Sequence, residues 1–439
     1  MRIPILFFPL ALSLTCGCQK EPAEERLQSD SLPQPRAAVT LTVLVVEDSK
    51  LAAGLTGLRG EWAERSRGQL VVVEATSTEF VAAEELSADL VIYPSRYVGT
   101  LVARDSVRPV SRSILSNDAF ARADLLPLVR NRVMPYGGKI YALSLGEPPL
   151  MLARPGADLS EKFPLSWSQF DEQRFALIAS KQIEHAAAVE FLVLAIGYVN
   201  QANRSAILFD PETMQPRIDS PPFVRALAEM IKRRKRASAD QTTRILVLPP
   251  AVTVQAEHGQ SMHLGLIPVA DEVYDYVRES WEPNESLNSP VMLGFSGRVM
   301  SVTRTSRNAA SAFKLLEWLS HGEIATKLSQ LSDGTVWFRA SQIMQSPDWL
   351  SRRGIEKGAA AITRQLLAEN CFHLPRIPAI DKYLQAVDAA VVQALAGELA
   401  PTQALESAAE QWEAITTDQN RNAQAAAYRK HLGYGEFAD

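Results

Sequence analysis

The residues best suited to chemistry in this chain are few and scattered. Six histidines stand at positions 185, 258, 263, 321, 373 and 431. No H-E-x-x-H occurs, and His258 and His263 miss the spacing that puts two zinc ligands on one helix face. Cys371-Phe372-His373 is an isolated pair, weak as a metal site. Gly294-Phe295-Ser296-Gly297 falls one position short of the G-x-S-x-G elbow that presents a nucleophilic serine. No glycine-rich phosphate loop follows any strand-like run, so nucleotide motifs are absent. Carboxylates are plentiful, with 50 Asp and Glu against 45 Lys and Arg, but sequence does not say which of them meet. The expectation is a protein that is not an enzyme, with no catalytic residue, metal or cofactor. What remains is a series of polar loops with the chemistry of recognition: Glu47-Asp48-Ser49, Ser77-Thr78, Pro94-Ser95-Arg96-Tyr97 and Gly146-Glu147-Pro148.

Those loops need elements to position them. Leu41–Val46 (LTVLVV) is β-branched and apolar on both faces, as in a strand covered on both sides. Leu51, Leu55, Leu58 and Trp62 recur on one helical face over residues 50–66. Gln69–Ala75 and Asp89–Tyr93 read as further strands, with a short helix at Phe80–Leu86 between them. This alternation implies right-handed crossovers and a parallel sheet, in which ligands bind beyond the carboxyl ends of the strands. Gly137-Gly138 makes a turn before a strand that stops at Gly146-Glu147-Pro148, and another strand follows. Helices are expected at His185–Ile196 and Pro222–Lys235. The basic run at 232–236 favours a helix C-terminus and reads as a solvated face rather than a binding patch. Leu264–Val269 and Val291–Thr303 return to strand character. Ser306 is placed to cap the helix carrying Ala310, Phe313, Leu316 and Leu319, and the chain from 321 is mostly helical.

The chain has 439 residues, 46% hydrophobic and 22% charged, with net charge −5. That length suits two domains or one large α/β unit. The acidic balance argues against a nucleic-acid binder. Three cysteines are too few for a disulfide framework, and two of them lie at 16 and 18. Ile3–Leu14 is an apolar run of about twelve residues, shorter than the roughly twenty that span a bilayer and of secretory h-region length. Leu14-Thr15-Cys16-Gly17-Cys18 resembles the bacterial lipobox, where signal peptidase II cuts and the new N-terminal cysteine is acylated. Cys18 fits better than Cys16, and a plain cleaved signal is the alternative. Residues 19–38 are polar and proline-bearing, the composition of a tether. The expectation is an exported, membrane-anchored lipoprotein, periplasmic or cell-surface.

Four stretches in order resemble the bacterial extracellular solute-binding proteins of the sugar-binding class that serve ABC importers. Asp89–Pro109 looks like that family's strand, ligand loop and helix. Tyr136–Leu152 looks like its crossing between lobes, Gly294–Leu319 like its Gly-aromatic strand and helix, and Tyr383–Leu432 like its C-terminal helices. The resemblance implies an α/β fold of two lobes, a class II-like periplasmic-binding-protein fold, each lobe a mainly parallel sheet flanked by helices. It divides the chain into a signal peptide (1–17), an anchored linker (18–39), lobe one (40–146 and 264–320) and lobe two (147–263 and 321–439). Gly146-Glu147-Pro148 would be a hinge.

By the same resemblance the ligand-binding residues are Asp48, Ser49, Ser95, Arg96, Glu147, Phe295, Ser296, Trp337 and Arg339, with Cys18 lipidated. Each has a plain alternative. Trp337 and Phe295 serve equally as core, Glu147 as a turn residue and Arg96 as a surface charge. Trp167 looks structural, and His185 a cap or core residue. One departure stands out: Pro249-Pro250 occupies the place where the family has a sugar-stacking aromatic. The implied function is capture of a small solute, carbohydrate first, by closure of the lobes and delivery to an ABC permease. The protein would act as a monomer held to the membrane by its lipid, without nucleic acid. The alternative is an envelope scaffold that keeps the fold with a degenerate cleft.

Overall fold

A computed structural model describes residues 38–155, 163–173, 175–179, 183–199, 206–239, 244–248, 262–285, 288–352, 354–356, 358–369 and 371–434. The expected signal peptide, Cys16, Cys18, nearly all of the tether, His258 and Pro249-Pro250 lie outside the described residues. Among the described residues no helix is long and apolar enough to cross a membrane.

The alternating N-terminal pattern builds the expected sheet. Strands β1 (Thr40–Val46), β2 (Gln69–Ala75) and β3 (Leu90–Pro94) run parallel, with β1 between the other two. The apolar stripe is buried as its spacing requires, but two helices carry it, Ser49–Gly57 and Arg59–Ser66. The break falls at Leu58, beside Gly57, where glycine weakens helix continuation. The short helix before β3 lies earlier than expected, at Ser77–Ala82. Its start is fixed by a reciprocal cap. Thr76 Oγ1 accepts from Glu79 N at 3.2 Å, and Thr76 N donates to Glu79 Oε2 at 2.8 Å.

A two-residue turn through Gly137 and Gly138, both at positive φ, joins β4 (Pro135–Tyr136) to β5 (Lys139–Ile140). Strand β6 (Leu143–Gly146) then joins the first sheet. The chain crosses at residues 147–150 to β7 (Met151–Pro155), which belongs to a second sheet with β8 (Ala176–Ala179), β9 (Arg244–Leu248), β10 (Met262–Gly265) and β15 (Ile355–Glu356). Its order is β15-β10-β7-β9-β8. After a hairpin of β11 (Glu272–Asp275) and β12 (Ser280–Pro283), the chain returns through β13 (Met292–Leu293) to β14 (Arg298–Val302). Strand β14 inserts antiparallel between β3 and β6, giving the order β2-β1-β3-β14-β6.

A third link completes the crossing. Strand β16 (Phe372–His373) pairs parallel with β13. Leu150 N donates to Met292 O at 2.9 Å, so the connection 147–150 is tied to the same strand pair. Apolar packing is continuous from Leu41 and Val43 of the first sheet to Met151, Ala153 and Ile355 of the second. The helix Gly322–Leu331 lies against Ser49–Gly57, on the first sheet's side, so the chain returns to the second sheet later than residue 321. C-terminal helices Ile380–Ala396 and Pro401–Asp418 pack on Ala186–Gly197 and Pro221–Ala239, while Arg421–Leu432 reaches back to the helix Val98–Ala103.

Two local expectations are corrected. Ser306 does not cap its helix; Asn308 occupies that position. Ser306 Oγ donates instead to Asp89 Oδ1 at 2.6 Å. The basic run is not simply a solvated face. Arg233 is buried, donating to both oxygens of Asp171 at 2.8 and 3.0 Å, and Arg234 donates to the buried Glu190 at 2.9 Å. Helical spacing puts these arginines over the carboxylates of two neighbouring helices. His185 is the residue before Ala186–Gly197, at φ 55°.

Candidate functional site

The carboxyl ends of β1 and β3, the start of β14 and the crossing at 147 meet at one edge of the first sheet. Register explains why: Arg298 pairs with Pro94 on one side and with Gly146 on the other. Residues 48, 95, 147 and 298 are therefore neighbours although the sequence spreads them widely.

Asp48 closes β1 and caps the following helix, accepting from Leu51 N at 3.1 Å. Its other oxygen accepts from Ser332 Oγ and stands 3.3 Å from Arg298 Nε. Arg298 also donates to Ser296 O at 2.7 Å and Glu47 O at 3.0 Å. Burial lowers the pKa of Arg298 and the Asp48 carboxylate opposes that shift. Ser49 is exposed.

Glu147 is fully buried at the crossing. Its Oε1 accepts from Gly294 N at 2.8 Å, tying the connection 147–150 to the loop before β14. Burial raises its pKa, against hydrogen bonds from Ser95, Gly294 and Gly297 and the charge of Arg376. The approach is close: a Cβ at Gly297 would stand 1.8 Å from Glu147 Oε2. Ser95 N donates to Gly297 O at 3.0 Å, and its buried hydroxyl lies beside Glu147 without a well-formed hydrogen bond among the described residues. Phe295 and Ser296 are half-buried on the same loop, and Ser296 Oγ also has no partner among the described residues. Buried polar atoms are normally satisfied; at this edge Ser95 Oγ, Glu147 Oε2 and Ser296 Oγ lack a well-formed hydrogen bond among the described residues.

Arg96 links the two sheets' surroundings. It donates to Tyr97 Oη at 2.9 Å, to Asp381 on helix Ile380–Ala396 at 3.0 Å, and to Glu184, just before helix Ala186–Gly197, at 3.0 Å. Tyr97 Oη donates to Asp381 at 2.7 Å. Burial works against the Arg96 charge, but Tyr97 and the two carboxylates raise its pKa above the ordinary value.

Two expected residues are committed to the interior. Trp337 is fully buried and stacked on Trp349, ring centroids 5.8 Å apart. Arg339 is also buried and donates to the carbonyls of Phe120, Ala121 and Ser320 at 2.7–3.3 Å, with Asp124 at 3.7 Å. Both hold structure together where they lie. Sequence reasoning did not single out Arg298, Glu184 or Asp381. Strand register and helix docking bring them to this edge, and neither is legible in local spacing.

Cys371 is partly buried against the core, with its thiol pushed up to about 12 by burial. His373 is buried, its pKa lowered to about 3 by burial and by Arg376. Among the described residues no group of three or more His, Cys, Asp or Glu is placed to hold a metal ion.

No family model matches the sequence, and no curated protein matches it. Solved structures match the fold. A sugar-binding protein from Xanthomonas citri aligns with TM-score 0.65 at 13% identity, covering 88% of this chain and 99% of that one. An ABC transporter solute-binding protein from Agrobacterium radiobacter K84, in complex with ribitol, aligns at 0.63 and 16%, covering 86% and 98%. A cyclo/maltodextrin-binding protein complexed with maltotetraose aligns at 0.62 and 15%, covering 87% and 98%. At such identities the likeness establishes the fold: the chain has the two-lobed architecture of the periplasmic binding proteins.

Proposed function

We propose that this chain is an extracytoplasmic solute-binding protein that delivers a small polyhydroxylated solute to an ABC importer. The observation that carries the reading is the incompletely satisfied polar edge at the carboxyl ends of β1 and β3, beside the crossing between sheets. Open α/β sheets bind ligands there, and the structural neighbours are named for sugars and polyols. Ser95, Arg96, Glu147, Phe295 and Ser296 are the proposed ligand-facing group. Asp48 and Arg298 brace it, and Ser49 is offered at its rim. Trp337 and Arg339 support the lobe that carries it. Hydroxyls would bond to serines and carboxylates while a ring's C–H face meets an aromatic side chain. Lobe one is proposed as residues 40–146 with a later return through about 291–345, and lobe two as the remainder after the linker. Closure about 146–148 would bury the solute. Acylation at Cys18 would hold the protein to the membrane.

The test is a thermal-shift and calorimetric panel on the chain from residue 19, with ribitol, maltose and maltotetraose beside amino acids and oligopeptides. A polyol or sugar should raise Tm, and Ser95→Ala should weaken that response at least tenfold. If no member stabilises the protein, the scaffold reading replaces this one. That reading has its own support in Arg96, already held by two carboxylates. Intact-mass analysis of the membrane fraction tests the anchor; a mass without acyl chains, or an unchanged location for Cys18→Ala, overturns it.

A further inference from the structure

A second pocket, away from the sheet edge, opens between the helices Arg59–Ser66 and Ala309–Leu319. It has a volume of about 420 Å³, within the range of roughly 300–1,000 Å³ typical of small-molecule sites. None of the residues proposed above to face the solute lines it.

Trp62 and Trp318 line the pocket, their rings 5.5 Å apart and both largely buried. Trp62 is 3% exposed, and its indole N–H has no hydrogen-bond partner among the described residues. A buried donor left unmatched is costly. The stripe that buries Leu51, Leu55 and Leu58 explains why the Trp62 ring is inside, and the N–H is buried with it.

The rim is cationic. Arg65 and Lys314 are exposed pocket residues, and neither has a hydrogen-bond or ion-pair partner among the described residues. The one carboxylate in the lining, Glu317, accepts from Asn117 Nδ2. Two cations facing one carboxylate leave a single net positive charge, which suits a monoanion and disfavours a doubly charged one. Indole surfaces favour a flat apolar body.

We propose that this pocket binds a small aromatic or similarly planar monocarboxylate, with Arg65 and Lys314 holding the carboxylate and the indole edges of Trp62 and Trp318 meeting its planar body. This assignment does not depend on the solute reading of the sheet edge.

The experiment uses the chain from residue 19 and benzoate as probe. Benzyl alcohol, benzylamine and inorganic phosphate are the comparisons. Calorimetry and tryptophan fluorescence should both register benzoate, with binding at least tenfold tighter than for the other three. The double variant Arg65→Gln/Lys314→Gln should lose at least tenfold in benzoate affinity. It should keep its unliganded Tm and its response to the sugar and polyol panel. Benzoate binding no better than benzyl alcohol, phosphate binding more tightly than benzoate, or undiminished binding by the double variant would each overturn the proposal.

Discussion

Arg96 shows what burial does to a charge. Its side chain is 9% exposed, against 31% for Asp381 and 59% for Glu184. A buried guanidinium is tolerated because both carboxylates and Tyr97 Oη meet it. Removing it takes the guanidinium from Asp381 and Glu184, while Tyr97 Oη still donates to Asp381. Losing one side of a fully buried pair costs about 3–5 kcal/mol, and solvent at Glu184 and Asp381 reduces that to about 1–2 kcal/mol. Arg96→Gln should therefore lower unfolding stability by that amount in urea titration. Because these pairs join the segment after β3 to the helix Ile380–Ala396 and to the start of Ala186–Gly197, the variant should also be more expanded in small-angle scattering without solute. Unchanged stability and an unchanged radius of gyration would show that these ion pairs do not hold the lobes together.

The crossing element rests on a backbone that only glycine fits. Gly146 has φ +129°, and a Cβ there would stand 2.2 Å from Val336 O and 2.8 Å from Val336 N. Both obstacles are backbone, so no rotamer change relieves them. Strain at such a φ costs about 1–3 kcal/mol before any clash. Gly146→Ala should lower stability by more than about 3 kcal/mol and weaken solute binding, because the displaced crossing carries Glu147. Equilibrium unfolding with a binding titration on the folded fraction checks both effects. A neutral outcome would mean that residues 146–148 shift freely and that the crossing does not fix Glu147. The reciprocal Thr76–Glu79 cap is a different kind of element feature: it was present in the sequence as T-x-x-E and sets where the helix before β3 begins.

At the scale of the whole molecule, the strand pair β13–β16 and the C-terminal helix Arg421–Leu432 bring two histidines together. His373 and His431 have ring centroids 5.6 Å apart, and Arg376 Nε donates to His431 Nδ1 at 3.3 Å. Burial and then Arg376 lower both pKa values, that of His373 to about 3. Unfolded, each histidine takes up a proton near pH 6.5. Their contribution to stability is complete above pH 6.5 and is lost as pH falls from there toward 3. Glu147 acts in the opposite sense, since its raised pKa favours the folded state on the acid side. Glu190, whose pKa burial also raises, acts in the same sense as Glu147, and each histidine kept neutral by the fold opposes them with up to about 1.4 kcal/mol per pH unit below pH 6.5. Between pH 6.5 and 5, the urea midpoint of His373→Asn should fall less, or rise more, than that of the parent chain. An equal slope in the variant would remove His373 from the explanation.

The sequence by itself determined the strands and helices that local chemistry enforces. β-Branched runs gave β1, β2 and β3 because their side-chain shape suits a pleated strand, even though β2, at the sheet's edge, leaves Val71 and Val73 exposed. The apolar stripe through Trp62 gave its helical face, and Gly137-Gly138 gave a turn only positive φ allows. The break at Gly146-Glu147-Pro148 marked the crossing, since a polar interruption between two apolar runs must leave the sheet. Fold class followed from the order of these pieces. Tertiary structure alone decided which charges meet. Arg96 and Asp381 are 285 residues apart, and Arg298 reaches Asp48 only through the antiparallel register of β14. It also decided that Trp337 and Arg339 lie in the packed interior, while Arg65 and Lys314 line a pocket, exposed and without a partner among the described residues. Periodicity reports which face of an element is apolar. It carries no information on which distant element covers that face, and the burial and pairing of charges depend on that covering.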